Sequence, residues 1–77
     1  MFEYSIYGEA NVARYRECVA LLKRSLAVVS EKEIQDVDES LYTILTTENG
    51  TVTVKNSEYI NAVYVESTFD LSHILKS

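Results

Sequence analysis

Residues 41–55 read LYTILTTENGTVTVK, and how this stretch folds decides the architecture. Both arms are rich in β-branched and aromatic residues, which suit a pleated, half-buried strand. Asn49-Gly50 is the dipeptide that tolerates both positive φ angles of a type I′ turn. The expected element is therefore a tight antiparallel hairpin of residues 41–47 and 51–55. Centred on that turn, Leu45 opposes Val54 and Thr47 opposes Val52 on one face. Tyr42, Ile44, Thr46, Thr51 and Thr53 share the other.

Working outward, Asn56-Ser57 makes a second turn and residues 59–66 read as a last strand. Asp70, followed by Leu71, Ile74 and Leu75, allows a short C-terminal helix. Upstream, residues 31–40 stay open between two readings. Ser30 and Glu33 have capping-box spacing and precede Ile34 and Val37, which suits a helical turn; the high acid content suits a loop. Before them, Val12, Tyr15, Val19, Leu22, Leu26 and Val29 recur at spacings of three and four behind Asn11, a good N-cap. That period predicts an amphipathic helix of about five turns over residues 12–29. Phe2, Tyr4 and Ile6 alternate with polar neighbours as in a strand, and Gly8 ends the alternation. The fold class is α+β: one long amphipathic helix on a small antiparallel sheet, in the order β-α-β-β-β.

Seventy-seven residues, 47% hydrophobic and 25% charged, make a single globular domain near the lower size for an unstapled core. With no proline and two glycines, long irregular loops are not expected. One cysteine, Cys18, leaves no intramolecular disulfide and suits a reducing compartment. The opening residues lack the basic start and apolar run of a signal peptide. No stretch approaches the ~20 apolar residues that span a bilayer. The expected location is cytoplasmic, away from membranes, so the Asn49-Gly50-Thr51 acceptor pattern is not expected to be glycosylated.

Charge is segregated along the chain. Residues 12–29 hold Arg14, Arg16, Lys23 and Arg24 against Glu17, a net of +3, whereas residues 30–77 carry −6. Such a dipolar surface orients charged partners at long range. Arg16, Lys23 and Arg24 are candidate contacts for an acidic protein; the blander reading is a solvated face paired with the acidic segment of the same chain. Within that segment, Asp36, Asp38 and Glu39 are a second candidate partner surface, including as carboxylates that substitute for phosphates in a basic groove. A calcium loop starting at Asp36 fails, because Leu41 and Thr47 occupy the positions that need Gly and Glu. An alternative contact is self-association through Ala13, Ala20 and Ala27, seven residues apart, with Leu21 and Val28 beside them. Alanine is also simply the best helix former.

Six tyrosines are a high count for this length, and Tyr42 and Tyr59 are candidate partner contacts if one sheet face is uncovered. Stacking of unpaired bases on such a face is a further alternative, but the net charge of −5 makes nucleic-acid binding an unfavoured reading. His73 and Cys18 are the only imidazole and thiol and fall on different elements; no P-loop, dinucleotide glycine pattern or Cys/His cluster occurs. We therefore expect no catalytic residues, metal or cofactor. The expected activity is that of a small acidic protein-binding module, an inhibitor or accessory factor (of viral or mobile-element type, for example) that occupies a partner's surface. A self-assembling subunit is the runner-up.

Overall fold

A computed structural model of the chain describes residues 1–75. In order, the elements are β1 (Phe2–Tyr7), α1 (Val12–Ser25), β2 (Val28–Gln35), β3 (Leu41–Thr47), β4 (Gly50–Ser57) and β5 (Ala62–Ser67). All pairings are antiparallel, and the sheet runs β1-β5-β4-β3-β2. The α+β expectation holds, with five strands instead of four. β2 to β5 form a meander, and α1 links the two edge strands by crossing one face of the sheet.

Asn11 caps the helix as expected, its side-chain oxygen accepting from the Arg14 N–H at 3.0 Å. The helix has 14 residues and ends at Ser25, earlier than the apolar spacing implies. Leu26 turns extended (φ −118°, ψ 148°) while its N–H still closes onto the Leu22 carbonyl. Val28-Val29, β-branched and poorly suited to a helix, begin β2 instead. Of the six stripe residues, Tyr15 and Leu22 are fully buried, with Cys18 between them, whereas Val12 and Val29 are exposed.

Residues 31–40 are neither helical turn nor simple loop. Residues 28–35 pair with β3 along the sheet edge, with a bulge between Val28 and Ser30. Residues 36–39 make the turn that follows. Asp36 accepts from Val37 N–H and Asp38 from Ser40 N–H, and Glu39 adopts a left-handed φ of 70°. Asp and Asn side chains favour such local bonds.

In the central hairpin Thr47 opposes Gly50, so the two-residue loop is Glu48-Asn49, one position earlier than expected. Leu45 therefore opposes Val52 and Thr43 opposes Val54. The division into two faces survives, because the shift moves each partner by two residues and the side-chain period is two. Gly50 has φ 147°, and a Cβ there would overlap the Thr68 hydroxyl. β5 begins at Ala62 and not at Tyr59, because residues 58–61 form a turn with Asn61 left-handed at φ 61°.

Between α1 and the sheet lie Tyr4, Tyr15, Leu22, Leu45 and the valines of β4 and β5, with Leu71 and Leu75 closing one end. In place of a C-terminal helix, residues 71–75 make one turn closed by Ile74 and Leu75 N–H groups on the Leu71 carbonyl. The Tyr4 hydroxyl anchors that turn, donating to Asp70 at 3.0 Å and accepting from Leu71 N–H at 2.7 Å. Within the core Tyr15 is bonded to the Thr43 hydroxyl and Asn56 Oδ1 accepts from Asn11 N–H at 2.8 Å, while Asn56 Nδ2 is buried without a hydrogen-bond partner among the described residues.

Candidate functional site

Alternate residues of every strand point away from the helix, and no element covers that side among the described residues. Register places them in rows across the sheet. One row is Ser5, Tyr64, Lys55, Tyr42 and Ile34; the next is Glu3, Glu66, Thr53, Ile44 and Lys32. Tyr42, Ile44, Thr53, Lys55, Tyr64 and Glu66 are all half-buried by their neighbours.

Lys55, on the central strand, organises this face. Its ammonium lies 5.7 Å from the ring centroids of both Tyr42 and Tyr64 and is ion-paired with Glu66. A cation over two aromatic faces is held by their quadrupoles, at about 0.5–1 kcal/mol each when exposed. The hydrogen bond to Glu66 raises the Lys55 pKa, so this ammonium stays charged. The Tyr42 hydroxyl donates to Asp36 Oδ2 at 3.0 Å, and that bond raises the Tyr42 pKa. The side chains at the centre of the open face are thus positioned in advance.

The sequence candidates are dispersed around this face rather than gathered into one site. Arg16 pairs with Glu33 at 3.7 Å and Lys23 with Glu31 at 2.8 Å, both acids standing on the helix side of β2. Two of the three basic candidates are thus already matched within the chain. Arg24 is exposed on α1, and no carboxylate among the described residues is in ion-pair contact with it. Asp36 and Asp38 each turn one carboxylate oxygen onto the β2–β3 turn, the second oxygen of Asp36 accepts from Tyr42, and Glu39 is exposed beside them. Tyr42 belongs to the open face, whereas Tyr59 is 90% exposed at the β4–β5 turn.

The small-residue strip loses its third member. Ala13 and Ala20 are exposed on α1, but Ala27 lies in the link after the helix and Val28 begins β2, because the helix ends at Ser25. Leu21 is half-buried and packs against the core in a groove also lined by Ile6 and Leu75. Lys55, Tyr64 and Glu66 were not singled out as site residues. Their signal is the alternation with Val52, Val54, Val63 and Val65, which marks them as the reverse face of core strands.

Burial pushes the Cys18 thiol up to about 11. It is therefore a protonated, core-packed group, poorly suited to nucleophilic attack. Among the described residues no three His, Cys, Asp or Glu side chains cluster to hold a metal ion. No helix among them is long and apolar enough to cross a membrane. No protein-family model matches the chain, and no curated protein or solved structure matches it either.

Proposed function

We propose that this protein is a non-enzymatic protein-binding module whose docking surface is the open face of the sheet, centred on Lys55, Tyr42 and Tyr64. One observation carries the reading: among the described residues a five-stranded sheet is covered by helix on one side and bare on the other, where tyrosines flank a pre-paired lysine. Tyrosine supplies broad contact area at low entropic loss, and such residues are enriched where proteins meet. Base stacking on the same rings is disfavoured, because Lys55 is already bound to Glu66 and phosphates need uncommitted cations. An inhibitor or accessory factor, working in the cytoplasm by occupying a partner's surface, fits this chemistry.

The test is photo-crosslinking in living cells from a reactive amino acid placed at Ile44 on the open face or at Arg24 on the outer helix surface. Ile44 should yield discrete protein adducts and Arg24 far fewer. Equal yields, or none from Ile44, would reject the open face as the docking surface.

A further inference from the structure

We infer that the open face binds a second copy of this chain, forming a weak face-to-face dimer aligned by Glu3 of one copy and Lys32 of the other. The inference rests on reading that face as a docking surface and names its occupant.

Charge makes the first argument. The protein carries a net of −5, so two copies repel one another in most approaches. On the open side the charged strand residues are Glu3, Glu66, Lys32 and Lys55, two acids and two bases. These four cancel, so even with Asp36 at its rim, bonded to Tyr42, the face is far less acidic than the molecule as a whole, and a second copy meets less repulsion there than the net charge implies.

The arrangement of those charges makes the second. Glu3 and Lys32 occupy opposite ends of one row, on the two edge strands, with Thr53 of β4 at its middle. Closed dimers are built on twofold axes. An axis running along β4 between two stacked sheets carries β1 of each copy over β2 of the other. Glu3 then meets Lys32 twice, and Tyr64 meets Tyr42 twice. The alternative axis, across the strands, would set Glu3 over Glu3 and Lys32 over Lys32. Opposite charge therefore selects the first, which is also the aligned stacking that twisted sheets prefer. Lys55 lies on that axis, and its ion pair with Glu66 lessens repulsion between the two copies of it.

Size sets the strength. Five strands about 4.8 Å apart and six residues long at about 3.3 Å each outline roughly 400–500 Å² per copy. That is below the ~800 Å² per partner of a standard interface. The dimer is accordingly reversible and concentration-dependent.

Sedimentation velocity of the purified protein over a concentration series tests this. Wild type should shift from monomer to dimer as concentration rises. Glu3→Lys alone and Lys32→Glu alone should each weaken association about tenfold or more, since every dimer acquires two like-charge contacts. An equimolar mixture of the two variants should recover it, because each mixed dimer regains both opposite-charge pairs. Both positions are exposed on edge strands, and circular dichroism verifies that the variants fold. Wild type monomeric at every concentration, or a mixture no heavier than the single variants, overturns the proposal. If wild type is monomeric while Ile44 still crosslinks a different protein in cells, the self-pairing fails and the docking face stands. If Ile44 also yields nothing, both fail.

Discussion

Along β4 the chain alternates between two environments only one residue apart. Val52 and Val54 are fully buried beneath the helix, while Thr51, Thr53 and Lys55 turn to the side that no other element among the described residues covers. β5 repeats the contrast with Val63 and Val65 against Tyr64 and Glu66. The covered face holds apolar side chains, each contributing roughly 1.5–3 kcal/mol by leaving water. The open face holds mostly polar and amphipathic ones, with Ile34 and Ile44 among them. Stability and the proposed recognition thus fall on opposite sides of the same strands, and substitutions should separate them.

The largest effect is expected from the covered side. Leu22 has no exposed surface between α1 and the sheet, so Leu22→Ala should lower unfolding free energy by about 2–5 kcal/mol in urea titrations. Gly50→Ala comes next. It forces a side chain onto φ 147° and against Thr68 and Phe69, and a loss of roughly 1–3 kcal/mol is expected by the same assay. Tyr15→Phe leaves the Thr43 hydroxyl buried without its partner and should remove about 1–2 kcal/mol.

A smaller effect appears in alkali. The folded state keeps the Cys18 proton up to about 11, above the ordinary value of 9.0. The unfolded chain therefore releases it first. Stability from this group is intact below pH 9 and is lost as pH rises towards 11. Cys18→Ala should flatten that alkaline decline in urea midpoints. Smallest of all is Thr53→Val on the open face, expected within about 0.5 kcal/mol of wild type. A loss comparable to that of Leu22→Ala would mean that the open face is not bare and would break the contrast.

How much of this was legible in the sequence depended on which elements have two unlike sides. The hairpin of β3 and β4 was readable down to its faces because Leu45, Val52 and Val54 alternate with threonines. β2 was not. It is an edge strand exposed along nearly its whole length, and its helix-side positions are Glu31 and Glu33, which answer Lys23 and Arg16 across space. Charged edges protect a sheet from unwanted pairing, and they also erase the apolar period that marks a strand. The same ion pairs explain why the charge segregation was visible while its use was not: much of it closes within the molecule. The open-face row needed the register of four strand pairs at once, which no local pattern contains.

The two strands at the extremes of the described chain, β1 and β5, lie side by side, with Phe2 opposite Ser67. For a chain emerging from a ribosome, this adjacency sets the schedule. β1 has no partner until β5 has been synthesised, so β2, β3 and β4 can zip together while β1 waits. Long-range pairings of this kind fold slowly and leave edges exposed in the interval. The nascent protein therefore spends that interval with one sheet edge unfilled, and a chaperone or a second nascent copy would meet it there first.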